Sequence, residues 1–108
     1  TGNGSAQSIE PLQNNMQVHA DQTVTLSCKY KGSGNQDTLY WYRQFPGSRP
    51  ENLLIVYPEA GPEIQERFKA TANKTVVDLI ISSTAVSDSA LYYCALRPTV
   101  TETHQTLY

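Results

Sequence analysis

The strongest constraint on the fold is a pair of cysteines, Cys28 and Cys94, far apart in the chain and each inside a strand-like run. In a cytosolic enzyme they would be free thiols. Their place in two separate β-like runs favours one structural disulfide and an oxidising compartment. A bridge closing so long a loop lowers the entropy of the unfolded chain by roughly 4 kcal/mol in the chain-entropy model. The cysteines therefore predict two distant strands joined covalently.

Alternation of apolar and polar residues predicts many short strands. In TVTLSC, Val24, Leu26 and Cys28 share one face, and in TLYWYRQ, Leu39 and Trp41 share another. Further strands are predicted in NLLIVY and ALYYCAL, a hairpin of RFKATA and VVDLIIS around Asn73-Lys74, and one helical turn in STAVSDSA. Short strands separated by turns every 8–12 residues or so predict an all-β sandwich or barrel.

Trp41 decides between a sandwich and a barrel. It stands on a third strand between the two cysteines and points to the same interior, where its large ring fills the gap beside a bridge between two sheets. The predicted core also contains Leu79, Ile81 and Tyr92. This arrangement of Cys, Trp and Cys is typical of the immunoglobulin sandwich.

The size, charge and histidine positions of the chain argue against several classes of function. The 108 residues suffice for one domain, and a net charge of −2 gives no basic field for nucleic acid or anionic membranes. The two histidines, His19 and His104, have neither metal-ligand nor catalytic-triad spacing. We expect no cofactor, no metal and no catalytic activity.

The motif DSALYYC carries a family resemblance. Asp88, Ala90, Tyr92 and Cys94 match the Asp-x-Ala-x-Tyr-x-Cys pattern of immunoglobulin-superfamily variable domains, and WYRQFPGSRPENLLI and SDSALYYCAL resemble T-cell receptor alpha or delta variable segments. The resemblance covers 8–96 and implies two antiparallel sheets joined by one disulfide. It also implies a Tyr92 hydroxyl bonded to upstream backbone and an ion pair between Arg67 and Asp88.

The resemblance further implies two binding surfaces on an extracellular, cell-surface or secreted receptor domain. One is a pairing face for a second variable-type chain, beta-like, or for a second copy as a homodimer: Tyr42, Gln44, Pro50, Leu53 and Tyr93. The other is a set of three loops that would contact a peptide-presenting molecule or another protein ligand. The first loop spans 32–38 and the second about 57–63. The third begins after Cys94, and the candidate contacts are Gly32, Ser33, Gly34, Asn35, Gln36, Asp37, Thr38, Tyr57, Pro58, Glu59, Ala60, Leu96 and Arg97.

One alternative is a non-rearranging or surrogate variable-type immune receptor. Another, of a different class, is a structural adhesion domain that pairs homophilically. Paired, diverse ligand binding would favour the receptor, and self-association without ligand would favour adhesion.

Two sequons, Asn3-Gly4-Ser5 and Asn73-Lys74-Thr75, mark candidate glycosylation sites, of which Asn73 is the better because a strand should turn there. Residues 1–7 are expected to be a flexible lead-in.

The chain departs from the family after Leu96. Gly61 is its last glycine, whereas a rearranged family member has Phe-Gly-x-Gly in its final strand. A truncated chain, a last strand supplied or replaced by a partner, and an unrearranged germline segment would each explain the tail, 97–108. The recombination heptamer CACAGTG, read in frame, encodes Pro98-Thr99-Val100, and the spacer that follows is about two turns of DNA at roughly 10.5 base pairs each. We expect Val100 to Tyr108 to lie extended along the strand that ends near Cys94, in the same molecule or a neighbour.

Overall fold

The computed structural model describes residues 7–14, 16–18, 20–34, 36–82 and 84–97. Within these ranges it contains strands and one 3₁₀ turn at Val86–Asp88. The strands are β1 (Ser8–Pro11), β2 (Val24–Lys31), β3 (Thr38–Gln44), β4 (Glu51–Val56), β5 (Glu63–Gln65), β6 (Phe68–Ala72), β7 (Val76–Ile81) and β8 (Leu91–Arg97). Predictions for Asn3, His19, Asn35, His104, the lead-in before residue 7 and the tail after Arg97 lie outside the described residues.

The strands form two antiparallel sheets, ordered β1-β2-β7-β6-β5 and β4-β3-β8. Alternation fixes the register, because a slip of one residue would turn every apolar side chain towards solvent. Leu26 thus pairs with Leu79, and Cys28 with Val77, on the inner face of the five-stranded sheet. The predicted immunoglobulin-type sandwich is confirmed.

A disulfide between Cys28 of β2 and Cys94 of β8 joins the two sheets across this core, with 6.6 Å between the Cα atoms. The predicted bridge is confirmed. Trp41 is the direct cross-strand neighbour of Cys94 and is fully buried, as are Leu79 and Ile81. Its indole N–H finds no hydrogen-bond partner in the described part of the chain, so Trp41 contributes to the core through its apolar surface.

The hairpin β6–β7 turns at residues 73–75, and the 3₁₀ turn lies in the segment predicted to hold one helical turn; both predictions are confirmed. A Pro46-Gly47 turn links β3 to β4. There Ser48 N donates to Phe45 O at 3.0 Å and Gly47 has φ +75°, the backbone a type II turn requires at that position.

Two strands, β1 and β5, were not predicted from the sequence. Both are short strands at the edges of the larger sheet, and each holds a single isoleucine, so neither displays an alternating pattern of its own. The second loop was predicted to run to Glu63, but Glu63 is already the first residue of β5. The described loop therefore ends one residue earlier.

The registers bring the segments between strands to opposite ends of the sandwich. Arg97 pairs with Thr38, and Leu39 with Val56, so β2, β4 and β8 all end where β3 begins. Tyr30 N also donates to Thr75 O at 2.8 Å, which places the β6–β7 turn there. We name this end, with described residues 32–34, 36–37, 57–62, 73–75 and 97, the loop end. The opposite end, with Arg43, Arg67, Asp88 and Tyr92, is the base.

Candidate binding surfaces

The base is organised around the buried carboxylate of Asp88. Arg67 holds it with two bonds, Nη1 to Oδ2 at 2.5 Å and Nη2 to Oδ1 at 2.8 Å, and the amide of Ala85 donates to Oδ2 at 2.9 Å. The Arg67 hydrogen bonds, aided by that amide, hold the pKa of Asp88 below its usual value although burial opposes them. Tyr92 Oη donates to Asp88 O at 2.7 Å, the geometry of a tyrosine corner.

A second arginine, Arg43, belongs to the base, and its role was missed at the sequence level. Its Nε donates to Glu51 Oε2 at 2.7 Å, and its Nη1 lies 3.8 Å from Asp88 Oδ1. Its guanidinium also lies over the ring of Phe45, 4.8 Å from the centroid. The signal was an arginine on the same strand face as Leu39 and Trp41, since a cation on an inward face requires a carboxylate partner.

The outward face of the three-stranded sheet is aromatic and polar. Tyr42 pairs with Tyr93 across β3 and β8, and Tyr93 Oη donates to Gln44 Oε1 at 2.8 Å. The Tyr40 and Tyr42 rings stack with centroids 6.0 Å apart. Tyr93 retains 39% of its surface, so the structure brings Tyr42, Gln44 and Tyr93 into one accessible patch.

The other two residues predicted for the pairing face have different positions. Pro50 is exposed just before β4. Leu53 lies at the irregularity where the β3–β4 register shifts between Trp41 and Tyr42, and it packs against the buried cluster. The bulge thus turns Leu53 partly inward, which strict alternation could not reveal.

The first loop is closed by its own aspartate. Asp37 is only 6% exposed, and its Oδ1 accepts from Ser33 N at 2.9 Å and Ser33 Oγ at 2.8 Å. A Cβ on Gly32 would lie 1.9 Å from Asp37 Oδ2, so any larger residue would force the Asp37 side chain to shift. Asp37 was predicted to contact ligand; buried in this way it instead positions Ser33. Thr38, also assigned to this loop, is the first residue of β3.

The second and third loops frame the same end. Ala60 N donates to Tyr57 O at 3.0 Å, and Tyr57, Glu59 and Ala60 are exposed while Pro58 is half-buried. Arg97 is exposed and its Nη1 donates to Tyr40 Oη at 3.4 Å. The prediction that Leu96 contacts ligand is wrong, because Leu96 is 7% exposed and packs in the core cluster.

An open cleft of about 500 Å³ lies towards the base, lined by Gln17, Val18, Gln44, Phe45, Pro46, Gly47, Ser89, Ala90 and Leu91. None of these residues titrates near neutral pH, so the cleft supplies no general acid, base or thiolate nucleophile.

The described residues contain no group of three or more His, Cys, Asp or Glu placed to hold a metal ion. No helix in those ranges is long and apolar enough to cross a membrane.

Three features of the structure point to one family: the disulfide between the two sheets, the buried Trp41 beside it, and the tyrosine corner of Tyr92 over the Arg67–Asp88 pair. Comparison of the sequence with family models gives the same answer. The model of the immunoglobulin V-set domain matches residues 12–107. The chain belongs to the immunoglobulin V-set family.

Relatives of this V-set domain include antigen-receptor chains. It is 37% identical to human (Homo sapiens) T cell receptor alpha variable 38-1 over 97 residues, covering 85% of this chain and 82% of that protein. It is 33% identical to human T cell receptor alpha variable 14/delta variable 4, covering 89% of this chain and 85% of that protein. The human T cell receptor alpha chain MC.7.G5 is 36% identical over 88% of this chain, which spans 36% of that relative. The V-set domain is thus an antigen-receptor variable domain similar to alpha and delta segments.

Proposed function

We propose that this V-set domain is the non-catalytic ligand-binding part of an extracellular receptor of the T-cell receptor alpha kind. It pairs with a second variable-type chain, beta-like, through the outward face of β3 and β8. Its loop end contacts a protein ligand such as a peptide-presenting molecule.

The observation that carries this proposal is the patch formed by Tyr42, Gln44 and Tyr93. Rigid aromatic rings with polar atoms at their edges are enriched in protein interfaces because they bury much area at low entropic cost. The hydrogen bond from Tyr93 to Gln44 arranges the patch before a partner arrives, and Gln44 Nε2 is held in turn by Ser48 O at 2.9 Å. These three side chains carry no charge, so a partner does not have to neutralise one.

The loop end supports ligand recognition by its composition and by its rigidity. Exposed Ser33, Gly34 and Gln36 offer adaptable hydrogen-bonding groups, and exposed Tyr57 offers a rigid aromatic contact. Asp37 fixes the first loop from inside the fold, which lowers the entropy lost when a ligand binds. The extracellular location is supported by the disulfide, which persists in oxidising compartments.

Co-expression with a beta-type variable domain, followed by sedimentation, tests the pairing. We expect a heterodimer that Gln44→Glu weakens about tenfold, or about 1.4 kcal/mol, because the new charge must be desolvated at the interface. Thr25→Glu adds the same charge to an exposed position on the other sheet and should leave pairing unchanged.

Two results would contradict the proposal. Equal heterodimer affinity for both variants would show that the outward face is not the interface. A stable homodimer of the isolated domain, weakened by Gln44→Glu and indifferent to the beta-type chain, would instead favour the homophilic adhesion function.

A further inference from the structure

The turn between β6 and β7 carries the sequon Asn73-Lys74-Thr75, all three residues of which are exposed. We propose that Asn73 is a site of N-linked glycosylation and that its glycan stands beside the first loop at the loop end. The modification requires passage through the secretory pathway, so the inference rests on the extracellular location proposed above.

The hydrogen bonds of the turn leave the reactive atom accessible. Asn73 Oδ1 accepts from the amides of Thr75 and Val76, both at 2.8 Å, and Asn73 N donates to Val76 O at 3.0 Å. Asn73 Nδ2, the atom that carries an N-linked sugar, makes no hydrogen bond within the described part of the chain. A glycan on Nδ2 therefore leaves every one of these bonds in place.

The turn is attached firmly to β2, two residues before the first loop. Tyr30 N donates to Thr75 O at 2.8 Å, and Tyr30 Oη donates to Asn73 O. Tyr30 is buried, and its burial, reinforced by Asp37 and Glu59, raises its pKa, so the hydroxyl keeps its proton for this bond at neutral pH. The glycan would therefore have a fixed root close to Gly32.

This position separates the glycan from the proposed interface. The turn belongs to the five-stranded sheet, whereas Tyr42, Gln44 and Tyr93 lie on the outer side of the other sheet. A glycan at Asn73 would cover the loop end on the β6–β7 side and leave pairing unobstructed. Ligand would then approach the first loop from the side of the second loop and Arg97.

The donor is a lipid-linked oligosaccharide pyrophosphate of the secretory pathway. A bond forms between Asn73 Nδ2 and C1 of the first sugar, while the bond from C1 to the pyrophosphate oxygen breaks. The lipid pyrophosphate leaves with that electron pair, and the amide nitrogen loses one proton, which is released to the solvent. Thr75 supplies the hydroxyl that the acceptor motif requires.

The test is secretion from animal cells behind a standard leader, in an Asn3→Gln background that removes the other sequon. The intact mass should exceed that of the chain, and peptide N-glycosidase should remove the glycan and leave Asp in place of Asn73 in the peptide map. Thr75→Val should abolish the excess, and Thr75→Ser, which keeps the sequon, should retain it. An intact Cys28–Cys94 disulfide in each variant would show that the variant folded.

An unmodified secreted chain, or a mass excess that survives Thr75→Val, would overturn the inference. Because the leader imposes secretion, an unmodified chain could not be attributed to a wrong location. The pairing measured with Gln44→Glu is a separate result, so this inference and the proposed function can fail independently.

Discussion

The two ends of the sandwich are held together in different ways. At the base, Arg67 and Asp88 come from distant parts of the sequence, and Arg43 adds a contact from the other sheet. At the loop end, the first loop is held locally, because Asp37 bonds to Ser33 four residues away. A bond between distant parts of the sequence depends on the whole fold, whereas a local bond needs only its own segment. A substitution at the base should therefore cost more stability than a substitution in the first loop.

The largest expected effect comes from Trp41, which lies between the two ends. Trp41→Ala should lower the free energy of unfolding by about 4 kcal/mol, because it removes a fully buried ring and leaves a cavity beside the disulfide. Urea denaturation measures this loss. Because Trp41 lies in the core, the substitution should destabilise the base and the loop end alike. A loss below about 0.5 kcal/mol, the size typical of a surface change, would show that the ring is not a core element.

Breaking the base comes next. Asp88→Asn should cost about 3 kcal/mol, because it removes a buried charge that two arginines face and leaves Arg67 without its carboxylate. Asp78→Asn is a matched control, since Asp78 is a half-buried carboxylate that accepts a hydrogen bond from Ser27 Oγ at 2.6 Å. If both variants have the same melting temperature, the Arg67–Asp88 pair does not stabilise the base.

The carboxylate of Asp88 also predicts that the folded chain loses stability at acid pH. The pKa of Asp88 is lower in the folded chain than the ordinary value of 3.8, so the pair's full contribution is present above that ordinary value. As pH falls through the folded pKa, Asp88 becomes protonated and the contribution is lost. Unfolding free energies measured from neutral to strongly acidic pH should fall for the natural chain and fall less for Asp88→Asn. Parallel curves would assign the acid sensitivity to other carboxylates.

The smallest effect should come from the loop end. Gly32→Ala places a Cβ against Asp37 Oδ2 and should cost about 1 kcal/mol, since only the bonds to Ser33 must rearrange. In an Asp37→Ala background the same change should cost little, because the clashing carboxylate is gone. A double-mutant cycle from urea melts measures this coupling. Additive costs would show that Gly32 and Asp37 do not interact.

The difference between long-range contacts and local contacts also explains which residues could be predicted from the sequence. Cys28, Trp41 and Tyr92 stand out because their residue types and strand faces are visible in the chain itself. Asp37, in contrast, resembles any polar loop residue until the fold buries it beside Ser33. Leu96 ends the predicted strand ALYYCAL and was nevertheless counted among the ligand contacts, because the extent of β8 depends on its pairing with β3, and that pairing continues to Arg97. Edge strands such as β1 take their register from a neighbour and so have little pattern of their own.

Native-state hydrogen exchange of Asp88→Asn and Gly32→Ala, measured against the natural chain, tests the division between base and loop end most directly. The account predicts that Asp88→Asn accelerates amide exchange in the core strands of both sheets, including β2, β3, β7 and β8. Gly32→Ala should accelerate it only between Lys31 and Thr38. Acceleration across both sheets by Gly32→Ala, or acceleration confined to residues near Asp88 in the other variant, would contradict the account.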